Sequence, residues 1–521
     1  MISKLEQRDL AAVIDIGSNS IRLVISDLND LRPGQHLLNE KVMCQLGFGL
    51  NSNDVLDPER RALAISTLSW FAQMCEAANC TKILIFATAA IRQAEDGPAF
   101  VQEVEEKFGQ EVRVLSGEEE ARTAALGIKA SIHGACGLVA DLGGGSLEIA
   151  KIKKDGRVDH AMSMPFGTLI LQARVQELEF KEAAKSITSL LRSNLAEESW
   201  LEATNLYLIG GTWRALALEH IRMSKYPLRV LHRYSLSRSE IKAFCKYIIH
   251  LDDKAMSDLV SVAPRRREVF REACAVILSL LKASKAKTVI FSSAGVREGF
   301  LHSQLQLKVA GNPEVKAASD LVVGGARFVA NTAQNAEGQT NNQTIGEVLF
   351  DWSKPLRAYS VRSLDPTKLE LAEVRHRASC HLAEFGWSRH PSYKAEETAL
   401  MILHSNRLPQ SHPDRAYLAL CLFKRYGGGK MRTISKQFKR LLPKRLRWEA
   451  CVLGLVIRVA MGISSALPAK LAQTKLMKTG DNSFEIHLPA AWETFPLPNM
   501  KRELQTLDLK YDTLVELKFV L

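Results

Sequence analysis

Long apolar stretches are missing from this chain: no run of about eighteen or more apolar residues occurs, which is too little for a membrane-crossing helix. The opening residues lead into a β-forming segment without the apolar core of a secretory leader, so a cytoplasmic location is expected. Cysteine is sparse and unpatterned. Its nine positions (44, 75, 80, 136, 245, 274, 380, 421 and 451) are scattered, without close pairs at metal-ligand spacing. They read as buried free thiols of a reducing compartment, and neither a zinc module nor a disulfide scaffold fits. Acidic residues are in deficit. The 69 Lys and Arg against 57 Asp and Glu leave a net charge of +12, which favours a polyanionic partner without identifying it.

What is present belongs to an ordered protein of several domains: 46% of the 521 residues are apolar and 24% charged. Two glycine-rich stretches carry most of the information. They are Asp15-Ile-Gly-Ser-Asn-Ser-Ile-Arg22 and Asp141-Leu-Gly-Gly-Gly-Ser-Leu-Glu148, about 125 residues apart. Each places an aspartate at the end of an apolar run, then a small-residue turn, then β-forming residues. That pattern reads as a hairpin wrapped round a phosphate, and two such hairpins suggest two related half-domains facing one cleft.

The periodicity around them predicts strands over 11–16, 21–27, 37–42, 82–87 and 112–115, with helices over 58–78, 96–108 and 118–132. Ser116 is the expected N-cap of the last helix. The pattern then recurs, with strands over 137–141, 146–151, 207–209 and 288–292 and a long helical span over 267–283. Past about residue 305 the texture changes. Residues 331–344 are rich in Asn, Gln and Gly and read as an exposed loop, 367–465 read as helical, and 483–488 and 513–519 as strands. The expected organisation is 1–133 and 134–305 as two α/β halves, then 306–521 as a mainly helical domain with a small α+β region at its end.

Glycine and serine let consecutive backbone N–H groups converge on an anion with no bulky side chain in the way. In the first turn Gly17, Ser18, Asn19 and Ser20 are the candidate phosphate contacts, with Arg22 adding a charge-assisted donor. Asp15 would repel phosphate and is read as a Mg²⁺ ligand instead. The plain alternative is a tight β-turn with a capped aspartate. In the second turn the candidates are Gly143, Gly144, Gly145 and Ser146, with Asp141 and Glu148 supplying carboxylates for a metal or a water. Gly210, Gly211 and Thr212 end a strand in the same fashion, against the reading of an ordinary turn. Arg92 lies just past a strand end, and Glu118, Glu119 and Glu120 crowd one helix start, where acidic residues also serve the helix dipole.

Together these motifs resemble the exopolyphosphatase and guanosine pentaphosphate phosphohydrolase family, within the actin, sugar kinase and heat-shock ATPase superfamily. The resemblance runs from about residue 11 to 301 and includes Ala87-Thr-Ala-Ala-Ile-Arg92, Ser116-Gly-Glu-Glu-Glu-Ala-Arg122 and Phe291-Ser-Ser-Ala-Gly-Val-Arg-Glu-Gly299. It implies two ribonuclease H-like (actin-like) α/β halves around a cleft and release of orthophosphate from the end of linear polyphosphate, or removal of the 5′ γ-phosphate of guanosine pentaphosphate. It puts the general base on Glu119 with Glu120 beside it, metal on Asp141 and Glu148, and phosphate on Asn19, Arg92, Gly144, Gly145 and Ser146. Gly210, Gly211, Ser293 and Gly295 complete the cleft lining. A divalent ion is implied, Mg²⁺ first with Mn²⁺ as a substitute, and K⁺ stimulation is left open. A homodimer is the expected assembly, without membrane contact.

For the last third, the resemblance implies a degenerate HD-like domain. Glu384-Phe-Gly-Trp387 stands where Asp-Ile-Gly-Trp is usual, no His-Asp pair precedes it, and His376, His381, His390, His404 and His412 are scattered nearby. More telling is residues 424–447, with ten Lys and Arg and no Asp or Glu: Lys424, Arg425, Lys430, Arg432, Lys436, Lys439, Arg440, Lys444, Arg445 and Arg447. One-signed charge at this density attracts a polyanion, and with Arg265, Arg266 and Arg267 it is expected to guide polyphosphate. A nucleic-acid binder leaves the glycine turns unexplained and lacks basic-aromatic interleaving. A sugar or acetate kinase of the same superfamily needs an acceptor. A guanosine pentaphosphatase with little action on the polymer is the nearest rival.

Overall fold

The computed structural model describes residues 9–28, 36–50, 54–175, 177–196, 198–259, 264–305, 315, 318, 329–334, 340–356, 366–405, 408–429, 432–493 and 500–520. The chain divides into two compact units, Met1–Lys308 and Val309–Leu521.

The first unit holds two sheets. In one, β1 (Leu10–Ile16) pairs antiparallel with β2 (Ile21–Asp27), which pairs with β3 (Leu38–Val42). On its other side β1 runs parallel to β4 (Lys82–Ala87), itself parallel to β5 (Val112–Val114). The second sheet repeats the plan. There β6 (Gly137–Leu142) pairs antiparallel with β7 (Leu147–Ile152) and β7 with β8 (Val158–Met164). Parallel to β6 runs β9 (Asn205–Ile209), then β11 (Thr288–Phe291), with β10 (Tyr234–Ser237) antiparallel at the edge. In each sheet the central strand, β1 or β6, ends at a glycine turn. Strand β8 carries no clear alternation in the sequence, and β10 alternates over only four residues, Tyr-Ser-Leu-Ser; neither is among the expected strands.

Two helices join the sheets by exchanging places. Helix α1 (Gly117–Ser131), which follows β5, lays Ala121, Ala124, Ala125 and Ile128 on Val139, Ala150, Ile152, Tyr207 and Ile209 of the second sheet. Helix α2 (Val296–Leu305), which follows β11, lays Phe300 and Leu301 on Ala11, Val13 and Phe86 of the first. They cross with backbones in contact. A Cβ at Gly127 would stand 2.0 Å from the Gly295 carbonyl oxygen, and one at Gly299 1.8 Å from that of Thr123. Only glycine fits either place.

In the second unit, the stretch expected as a loop forms an antiparallel ribbon of β12 (Val329–Gln334) and β13 (Thr340–Thr344). Its ladder is made of backbone groups, to which the Asn/Gln-rich composition is blind. Helices α3 (Ile345–Trp352), α4 (Pro366–His381), α5 (Lys394–His404), α6 (His412–Arg425), α7 (Arg432–Leu441) and α8 (Lys444–Ser464) follow. A three-stranded sheet, β14 (Lys475–Lys478), β15 (Ser483–Pro489) and β16 (Leu514–Val520), closes the unit. No helix among the described residues is long and apolar enough to cross a membrane.

Candidate active site

The β1–β2 and β6–β7 turns face one another. A Cβ placed on Gly145 would lie 3.5 Å from the Ser18 hydroxyl, and one on Gly144 3.9 Å from the Asn19 Cβ. Each turn is pinned by its own closure, Gly17 N–H to the Ser20 carbonyl at 3.2 Å and Gly143 N–H to the Ser146 carbonyl at 3.0 Å. Carbonyls are drawn outward: Ser18 accepts from Gly47, Asn19 from Gln45, Gly143 from Thr168 and Gly144 from Leu169. Among the described residues, the N–H groups of Ser18, Asn19, Gly144 and Gly145 donate to no backbone carbonyl. Two opposed tips with unspent donors make an anion cradle.

The floor is acidic. Asp141 and Glu148 are cross-strand partners in the β6–β7 pairing. Glu148 is 2% exposed and accepts a hydrogen bond from Ser163 at 2.9 Å. The Ser146 side chain is buried beside this carboxylate and helps to hold its pKa down against burial. Burial pushes the Asp141 carboxyl up to about 6, against the pull of Arg214 and Arg297. Glu120 and Glu148 are raised too, chiefly by burial and, for Glu120, next by the charge of Glu148. Arg92 answers part of this charge, with Nη1 3.5 Å from the Glu120 carboxylate and a second bond to the Leu115 carbonyl.

Glu119 does not belong to this group. Standing at the third position of α1, it turns back to close the capping box with Ser116, accepting from the Ser116 N–H at 2.9 Å. Its other oxygen binds Arg113 at 2.8 Å, the side chain is 42% exposed, and these bonds hold its carboxyl below the usual range. Glu120 is the neighbour that turns inward. Glu119, expected as the base, is thus not brought to this group, and its carboxylate is engaged by the cap and by Arg113.

Asp15 is bound by Arg297, Nη1 to Oδ2 at 2.8 Å, and among the described residues no three His, Cys, Asp or Glu converge as metal ligands. An all-protein cage is absent from them, and His376, His381, His390, His404 and His412 form none either. His376 is tied to Ser353 at 2.7 Å. What fits a divalent ion is the pair Asp141 and Glu148, since Mg²⁺ commonly takes one or two carboxylates and completes its shell with phosphate oxygens and water.

Gly210, with φ 109°, brings its backbone under Asp141: a Cβ there would lie 3.2 Å from Oδ1 and 2.5 Å from the Leu142 carbonyl oxygen. Gly211 is overhung by Arg266, 3.3 Å from where its Cβ would be, and Thr212 is buried at the start of the next helix. Of the expected basic run, Arg267 turns elsewhere, to the Ser257 carbonyl. Gly295 approaches Asp141 Oδ2 (3.8 Å from its notional Cβ) and donates to Glu298 at 2.8 Å, while Ser293 N–H points at His232. Arg22 donates to Asn39 at 2.7 Å and faces Lys41 across the β2–β3 pairing. Burial and neighbouring arginines lower both, Arg22 to about 10 and Lys41 to about 8.

Sequence reasoning missed Arg214, Arg297, Lys41 and Ser163, and it named Arg266 only as part of a basic run. Arg297 sits inside the Phe291–Gly299 motif and was open to recognition; Ser163 carries no local signal. In the basic segment, Lys439, Arg440, Lys444 and Arg445 are exposed, Arg445 being bonded to Glu449 at 2.9 Å. The side chains of Arg265 and Lys436 lie outside the described residues.

The Ppx/GppA phosphatase family model matches residues 13–308, more than half the chain, and the exopolyphosphatase C-terminal model matches residues 341–510. The chain belongs to the Ppx/GppA phosphatase family. It is a hydrolase of that family with an actin/sugar-kinase-like α/β fold. Exopolyphosphatase 1 of Mycobacterium tuberculosis is 24% identical over 340 residues, 63% of this chain and 98% of its own. A guanosine-5′-triphosphate,3′-diphosphate pyrophosphatase of Pseudoalteromonas translucida is 27% identical over 310 residues, 57% of this chain and 60% of its own. The crystal structure of the Aquifex aeolicus family member covers 57% of this chain and 98% of its own, with 25% identity and a TM-score of 0.51.

Proposed function

We propose that this protein is an exopolyphosphatase that hydrolyses the terminal phosphoanhydride of linear polyphosphate and releases orthophosphate, with Glu120 as general base. The observation that carries the reading is the meeting of two unspent backbone cradles above a buried carboxylate. Phosphoryl transfer asks for positioning and charge neutralisation more than for covalent chemistry. The free N–H groups of Ser18, Asn19, Gly144 and Gly145 bind the terminal phosphates, and Arg92 and Arg297 add positive charge. Glu120, whose carboxyl is raised above its ordinary value by burial and by Glu148, takes the proton of the attacking water as that water bonds to phosphorus. The bridging P–O bond breaks and the electron pair leaves on the shortened chain. A divalent cation, Mg²⁺ or Mn²⁺, held by Asp141 and Glu148 supplies charge neutralisation at the transferred group.

Guanosine pentaphosphate is the second reading, supported by the Arg22, Lys41 and Arg266 surplus, which suits a second phosphorylated arm. The basic segment of the second unit, proposed as a degenerate HD-like domain, favours the long polymer. A cytoplasmic homodimer is the proposed setting.

Orthophosphate release from long-chain polyphosphate and guanosine pentaphosphate, run in parallel with Mg²⁺ and with EDTA, tests this. Glu120→Gln is expected to lower kcat by about 100-fold or more, and Glu119→Gln to leave it within about threefold. A Glu120→Gln enzyme at the wild-type rate ends the proposal.

A further inference from the structure

We infer that Ser163 is a positioning residue: its hydroxyl fixes Glu148 and seats the helix that carries Glu120, so that one side chain sets the spacing of both carboxylates. The inference rests on the reading of the site just given.

Ser163 lies on β8, directly opposite Glu148 in the β7–β8 pairing. Its Oγ donates to Glu148 Oε1 at 2.9 Å. An oxygen of a buried carboxylate without such a donor swings to find one or takes up a proton, and a hydrogen bond to a charged acceptor is among the stronger of its kind. The other side of Ser163 is equally constrained. Gly117, the first residue of α1, packs so closely that a Cβ there would stand 2.4 Å from the Ser163 Cβ and 2.8 Å from its Oγ. Glu120 follows Gly117 by three residues, less than one helical turn. Moving the Ser163 side chain therefore moves Glu148 through the hydrogen bond and Glu120 through the helix start. Ser163 is held between β7 and α1.

The test is a double-mutant cycle in the full-length protein with polyphosphate. Ser163→Ala should lower kcat about 10- to 100-fold with KM within about twofold, and Ser163→Cys, which keeps the shape but weakens the donor, should behave like alanine. In a Glu148→Gln background, Ser163→Ala should cost less than about threefold more, because the two residues act as one unit. Without cation or phosphate, the drop in urea midpoint caused by Ser163→Ala should shrink by about half or more in that background. Full additivity in both cycles, or a Ser163→Cys enzyme at wild-type kcat, overturns the inference. Should Glu120→Gln and Glu148→Gln themselves retain activity, the reading of the site has failed, whereas their loss beside an unaffected Ser163→Ala condemns the positioning role alone.

Discussion

Arg297 holds Asp15 at 2.8 Å although 282 residues separate them in the chain. The bond ties the start of α2 to the end of β1, at the root of the first glycine turn. Both side chains are mostly enclosed, 17% and 20% exposed, so removing one partner strands the other. Arg297→Gln is therefore expected to cost about 2–3 kcal/mol in urea unfolding and to lower kcat/KM for polyphosphate about 30-fold or more. Asp15→Asn combined with Arg297→Gln should cost less than the two separately.

Helix crossing sets the second expectation. Gly299→Ala would place a methyl 1.8 Å from the Thr123 carbonyl oxygen, which is backbone and has nowhere to swing. Alanine usually favours a helix interior over glycine by about 1 kcal/mol. Here the sign should reverse, with a loss of about 3 kcal/mol or insoluble protein. A stabilised Gly299→Ala protein would contradict the backbone contact.

Acidity supplies the third. The folded-state carboxyl of Glu120 is raised above its ordinary value by burial and by Glu148. A group raised in the folded state contributes its stability at low pH and loses it as the pH rises through the folded value. Glutamine carries no charge at any pH. Glu120→Gln should therefore melt close to wild type at pH 5 and above it at pH 8, both measured without phosphate or divalent cation. In the wild type, the acid limb of kcat/KM should fall above the normal carboxylate range.

The fourth concerns residues 424–447. Replacing Lys430, Lys439, Arg440, Lys444 and Arg447 by Gln is expected to raise KM about tenfold for long polyphosphate and less than twofold for chains of a few phosphates. The long-chain KM of the wild type should climb between 50 mM and 300 mM salt, and that dependence should flatten in the variant. Equal effects on both lengths would leave the segment without a role in substrate capture.

Turn chemistry is local, which is why both hairpins and the strands leading into them were readable from Asp15 and Asp141 onwards. The inward-facing glutamate is legible as well, through the capping box. Ser116 was expected as an N-cap, and a serine cap with Glu three residues on spends that glutamate on the cap itself. Following the capping box to its end points past Glu119 to Glu120. Arg214 and Ser163 are a different matter. Their roles depend on which strand lies beside which and on how α1 meets β8, and no short-range pattern encodes that. The same holds for the exchange of α1 and α2, since sequence order assigns each helix to the sheet it follows rather than the sheet it covers.

That exchange has a consequence for biosynthesis. Val13 and Phe86 leave the ribosome early, yet Phe300, which packs with them, emerges more than two hundred residues after Phe86. The face of the amino-terminal sheet that Phe300 covers therefore gains that cover only once α2 has been made. A truncated product ending before α2 would never gain it.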